Sequence, residues 1–292
     1  MSLTSTISSP SSQRQSTTEL RRPGAGTVFT VEMRKILGQT KTRAIAVVLV
    51  VAPWVFILLV LHQDRLPLET LYGRYLKVSG FATPMVVLVT GAQWVFPLLA
   101  SVVSGDMFSS EDNHGTFKTI LTRSTSRNAI FWGKVLAAVA ATTALILLLG
   151  ASSLLAGLVT VGAQSFVDVG SGGISAAQGL GMVAGSWASV LPPIIGFAAI
   201  ALCVSIVTRS SVLGVVIPVV VGLVFQMYTF LNAWDTVRHS LLNTPLNSWR
   251  GLFDNPSYVT PFWHGLAVSA VYTLLFLGLG YFVFRRRDVT EG

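Results

Sequence analysis

The chain has 292 residues, 52% of them hydrophobic and only 11% charged, with a mean hydropathy of +0.66. Soluble domains carry about 25% charged residues, so this composition excludes an ordinary soluble enzyme or binding module and points to a polytopic membrane protein. The net charge of +8 follows from a basic bias at one membrane face and needs no nucleic-acid partner. The single cysteine, Cys203, excludes an internal disulfide framework and a Cys-based metal site. Residues 1 to about 27 are rich in Ser and Thr, with Pro10, Pro23, Gly24 and Gly26, and are expected to form a disordered tail. No apolar core precedes about residue 44, so this tail is not a secretory signal.

The remainder, 28–292, reads as one all-α integral membrane domain. Phe29, Met33, Ile36, Leu37 and Thr40 recur at helical spacing, while Glu32, Arg34, Lys35, Gln39 and Lys41 fill the other side. That pattern predicts a basic amphipathic helix lying in the membrane interface. Six apolar runs follow, at about 44–61, 81–104, 135–163, 187–207, 212–231 and 262–284, where a bilayer requires roughly 20 residues; the third, at nearly thirty, is long enough to be tilted or to extend past the bilayer. Pro53 is expected to kink the first span. Gln164 to Ser186 is Gly-rich and reads as a flexible loop, with no Gly-Lys-Ser/Thr after its glycines. Asn232 to Pro261 is a longer polar connection, and Arg285-Arg286-Arg287 closes the last span. Six spans put both termini on one side. The terminal-side segments hold fifteen Lys and Arg against five on the opposite side, so the termini are expected to be cytoplasmic and the chain to sit in the cell membrane.

The longest charged interruption runs from Gly105 to Lys134. Ser109-x-x-Asp112 has the spacing of a helix capping box, and Glu111 and Asp112 suit the positive end of a helix dipole. Phe117, Ile120 and Leu121 fall at i, i+3 and i+4, the apolar edge of a short helix. A turn over 122–127 follows, after which Ser126 or Asn128 can cap the next helix. On these grounds the segment is either a docking element for a soluble partner or a solvated loop.

The run Glu111…Gly115-Thr116…Ile120-Leu121…Ser126-Arg127…Gly133-Lys134 resembles the loop after the second span in membrane subunits of the type-2 ABC transporter permease family. The family pattern there is an acidic residue, Gly-Thr, a Leu pair, a Pro-x-Ser-Arg turn and Gly-Lys at the head of the third span. This chain departs at Ser124, where Pro is usual, and at Ile120, which replaces the first Leu. The resemblance implies a coupling helix at about 110–122 that sits in a groove of an ABC ATP-binding subunit. It further implies an elbow helix at 28–40, short helices between the fifth and sixth spans, and a complex of two membrane subunits with two ATPases. The second membrane subunit would be another copy or a similar permease. Partner-binding residues on this resemblance are Glu111, Gly115, Thr116, Phe117, Ile120, Leu121 and Arg127, with ATP and magnesium held by the partner. The final arginines also resemble the usual end of this family.

No Walker A pattern occurs in the chain, so it is not expected to be an enzyme, and any ATP hydrolysis would come from the partner. Glu111 serves either the partner contact or dipole compensation alone; Arg123 and Arg127 face either the ATPase or anionic membrane lipids. Gln93 and Gln226 either line a substrate path or bond between helices. Phe225, Tyr228, Phe230 and Trp234 read as an interface belt. Asp106 sits at a membrane edge, and no ionisable side chain is expected in mid-span, which weighs against the alternative of an ion-coupled carrier working without an ATPase. His239 and His264 lie far apart in sequence without acidic or Cys partners, so no metal site is expected.

Overall fold

The computed structural model describes residues 24–63, 72–110, 126–164, 166–168, 172–230, 234–253 and 258–286. Apart from one ribbon, the elements are helical. Helix α1 spans Ala25–Gly38 and α2 Thr40–His62. The second span is α3 (Ala82–Thr90), a π-helical turn at Gly91–Val95, and α4 (Phe96–Ser104). Helix α5 runs over Arg127–Thr160, followed by the antiparallel strands β1 (Phe166–Asp168) and β2 (Gly172–Ile174). Then come α6 (Ala176–Ser189), α7 (Leu191–Thr208), α8 (Ser211–Phe230), the short α9 (Asp235–Ser240), 3-10 turns at Thr244–Phe253, and α10 (Thr260–Arg286).

Six of these stretches are long and apolar enough to cross a membrane: 40–62, 82–104, 127–160, 176–208, 211–229 and 260–286. Their outer faces present Val47, Val48, Leu59, Val271, Leu274 and Leu275, all more than half exposed. A soluble monomer rarely shows contiguous apolar surface beyond a few hundred Å². The solvent of this bundle is hydrocarbon, and the chain is a multi-pass membrane protein.

Each interruption of these helices has a local cause. Pro53 lies inside α2 and leaves a backbone carbonyl of its own helix without an amide donor. That carbonyl belongs to Leu49; one residue on, the Val50 carbonyl accepts a hydrogen bond of 2.7 Å from the Ser152 hydroxyl on α5, which ties the proline turn to α5. The π turn sits immediately before Pro97, and Gly91 there leaves room for the Phe96 ring, which a Cβ would approach to 2.7 Å. Helix α5 starts on Ser126, whose hydroxyl accepts from the Ala129 amide at 3.2 Å, as its spacing predicts. With 34 residues it is about 50 Å long and extends beyond a bilayer core of about 30 Å.

Two expectations are revised. The fourth span begins near residue 176 instead of 187, because half of the Gly-rich stretch is helix α6. A full capping box starts that helix: the Ser175 hydroxyl accepts from the Gln178 amide, and the Gln178 side chain accepts from the Ser175 amide. The helix breaks at Val190 and resumes as α7, whose first turn holds Pro192-Pro193, where the missing amides cost no intrahelical hydrogen bond. The 232–261 connection carries short helices, as the resemblance implies, but is less solvated than its polar sequence suggests. Leu242, Leu246 and Trp249 in it are buried, and Trp249 packs against Tyr72 at 5.9 Å.

The helices meet most closely at paired glycines. A Cβ on Gly214 would lie 2.1 Å from the Gly105 carbonyl oxygen, and one on Gly157 would lie 2.1 Å from that of Gly80. Gly214→Ala is therefore expected to wedge α8 from the end of α4 and destabilise the protein by about 1–3 kcal/mol. Gly278→Ala, with nothing within 4 Å of its Cβ, should leave thermal unfolding in detergent unchanged or slightly raised. Equal melting points for the two variants would contradict this packing.

Candidate functional site

The most constrained polar group lies at the end of the bundle that carries the chain termini. Gly133 on α5 admits α1 at close range: a Cβ there would come within 2.6 Å of Val28. That approach brings Glu32 of α1 over the next residue, Lys134. The two side chains form an ion pair of 2.9 Å, and Lys134 also donates to the Met107 carbonyl at 3.1 Å. Lys134 is 1% exposed and Glu32 6%, so each charge has lost its water and depends on the other. The ammonium lies 5.6 Å from the centre of the Phe108 ring, which adds a cation–π contact. Phe108 in turn packs against Phe131 and Phe284, closing the pair off from below.

Sequence patterning assigns Glu32 to the solvated face of an amphipathic helix and Lys134 to a membrane edge. Neither is solvated here. The available signal was modest: Glu32 is the one acid in a basic stretch, and Lys134 heads a long apolar run. No local rule joins residues 102 positions apart.

This pair belongs to a set of contacts that hold both flanks of 111–125. Upstream, Asp106 pairs with Lys41 at the start of α2. The Ser109 amide donates to the Ser205 hydroxyl at 3.2 Å, and the Ser109 and Ser211 hydroxyls are 3.0 Å apart. The Ser109 hydroxyl thus bonds to α7 and α8 as well as to the Gly105 carbonyl. Downstream, Arg127 donates to the Arg285 carbonyl in the last turn of α10 at 3.0 Å, and the Tyr281 hydroxyl bonds Asn128 at 2.6 Å. The two ends of the segment are tied into α1, α2, α5, α7, α8 and α10.

Of the predicted partner-binding residues, Arg127 is described and is partly used in closing α10. Glu111, Gly115, Thr116, Phe117, Ile120 and Leu121 lie outside the described residues, as does the predicted coupling helix. Gln93 and Gln226 have different surroundings. Gln226 is buried, and its side-chain oxygen accepts from Asn243 at 3.1 Å, while Asn243 also donates to the Gly222 carbonyl. Gln93 is half-buried in the π turn. Beside that turn, α2, α3 and α5 enclose an apolar groove of about 290 Å³ lined by Leu49, Pro53, Phe56, Thr90, Val95 and Leu149.

At the opposite end of the bundle the fold joins two residues that sequence distance keeps apart. The rings of His239 on α9 and His264 on α10 stand 6.0 Å apart, nearly perpendicular. Groups of three or more His, Cys, Asp or Glu side chains in metal-binding proximity are absent among the described residues.

Residues 45–290 match the family model described as protein of unknown function, DUF2705. No curated protein matches the chain.

Removing one member of the buried pair should expose its dependence. Lys134→Met is expected to lower stability by about 3 kcal/mol, because Glu32 then loses its buried partner and keeps only the longer 3.8 Å contact with the more exposed Lys35. Adding Glu32→Leu should restore most of that loss, measured by thermal or denaturant unfolding in detergent. Additive losses in the double variant would contradict the pairing.

Proposed function

The chain belongs to the DUF2705 family, and from that premise we propose that it is the membrane subunit of an ABC exporter, forming half of a translocation path driven by a separate ATP-binding subunit. The observation that carries this reading is the anchoring of both flanks of 111–125. A segment tied at each end to the bundle by polar contacts passes a displacement into it, where a loosely tethered loop would absorb it. The motif in that segment resembles the coupling helix of type-2 permeases, and its position between the second and third spans agrees.

In this reading the terminal end of the bundle is cytoplasmic, in keeping with the distribution of Lys and Arg. Helix α1 is the elbow helix. Glu111, Gly115, Thr116, Phe117, Ile120 and Leu121 meet the ATPase, which holds ATP and magnesium, and Arg127 borders that contact. Closure of the paired ATPases pushes the segment. The upstream flank transmits the motion through Asp106 and Ser109 to α2, α7 and α8, and Lys134 transmits it to α5 and α1. A second copy, or a similar permease, completes the path. The half-buried Gln93 and the apolar groove beside it supply a surface for a weakly polar substrate, in keeping with export of a lipid-, drug- or peptide-like compound.

Purification of the tagged chain from native membranes in mild detergent tests this. A protein with a Walker A motif should accompany it. Glu111→Lys should lower that recovery by more than about tenfold, since reversing a charge within an interface costs about 2 kcal/mol or more, while insertion into the membrane stays unchanged. Recovery of the chain alone, with transport driven by an ion gradient after reconstitution, would establish a secondary carrier instead.

A further inference from the structure

At the end of the bundle away from the chain termini, α9 and the start of α10 face each other across a cavity of about 370 Å³. His239 and His264 lie on its wall with Asn247, Ser248 and Tyr258, and both histidines are exposed. Helix α9 has only six residues, so its orientation depends on what its side chains meet. We infer that this histidine pair is a binding site for a late first-row divalent transition ion, of which Zn²⁺ is the representative, bridging α9 to α10.

The tautomer supports it. The Nδ1 of His239 lies 2.7 Å from the backbone carbonyl oxygen of Asp235, and a carbonyl can only accept. Nδ1 therefore carries the proton, and in the neutral ring the lone pair is on Nε2, the atom left for a ligand. A carbonyl bond to the far nitrogen is the usual support for a metal-bound imidazole, because it fixes both tautomer and ring orientation. No described residue takes either ring nitrogen of His264 in a hydrogen bond.

The spacing supports it as well. With Zn–N bonds of about 2.0–2.1 Å, each ring centre lies about 3.2 Å from the ion, and two rings at the tetrahedral angle are about 5.2 Å apart. The rings stand at 6.0 Å, a difference of under about 1 Å that rotation of exposed side chains closes. Arg238, the cation adjoining the pair in sequence, forms a 2.8 Å ion pair with Asp235, which lessens its repulsion of a dication. Two imidazoles without a carboxylate form a site of exchangeable ions completed by water, with Asn247, Ser248 and Tyr258 among the oxygen-bearing side chains of the cavity wall. Imidazole donors favour zinc, copper and nickel over magnesium or calcium.

The experiment uses the full chain in detergent, free of any affinity tag. Equilibrium dialysis against Zn²⁺ should show one ion per chain at neutral pH. His239→Ala and His264→Ala should each lose it, whereas His62→Ala and His114→Ala should keep it. With Cu²⁺ in place of Zn²⁺, the paramagnetic spectrum should show hyperfine coupling to two equivalent nitrogens. Gel filtration reports whether each variant is folded, and His239→Asn and His264→Asn serve if an alanine variant is not. An unchanged stoichiometry in the His239 and His264 variants, or no ion bound by the native chain, overturns the site. This outcome is independent of the transporter reading.

Discussion

A buried ion pair between Glu32 and Lys134 is the constraint on which the terminal end of this bundle depends. Removing two charges from water costs several kcal/mol each, and the cost is met only when partners and hydrogen bonds are placed together. That requirement fixes α1 against α5 at Gly133 and holds the Met107 carbonyl within reach of the ammonium. It also sets Phe108 beneath the charge. Hydrophobic patterning alone would let an amphipathic helix slide or roll on the membrane surface. The ion pair gives α1 one position, and through Met107 it links that position to the chain leading into 111–125.

The rest of the bundle answers a different constraint. Between helices in hydrocarbon there is no hydrophobic driving force, so close packing and interhelical hydrogen bonds take its place. Gly105 with Gly214 and Gly80 with Gly157 bring backbones into contact, and the hydroxyls of Ser109, Ser205 and Ser211 bond three helices together. Close to Pro53, Ser152 on α5 donates to the Val50 carbonyl, a further interhelical bond of the same kind.

Much of the architecture was legible from the residues. Long apolar runs separated by charged or Gly- and Pro-rich stretches locate six spans, and the periodicity of 29–40 locates α1, because these signals are local and repeated. Ser126 as a cap was legible for the same reason. The start of α6 was not, since its glycines outweighed the Ser175–Gln178 box, a signal that was present but overlooked. The Glu32–Lys134 pair and the meeting of His239 with His264 were beyond reach for a different reason. Each joins residues on separate helices, and only the packing of those helices decides which polar side chains converge. The proposed contact surface, Glu111 to Leu121, rests on its motif, and the structure contributes the anchoring of its flanks.

The proposed function places the action of an ATPase on the bundle at 111–125. A photo-crosslinking amino acid at Phe117 in native membranes tests this, with the same probe at Asn247 on the opposite end as the reference. The expected result is a protein adduct from position 117 that carries a Walker A motif and is absent from position 247. Adducts with lipid alone at 117, or the same adducts from both positions, would overturn it.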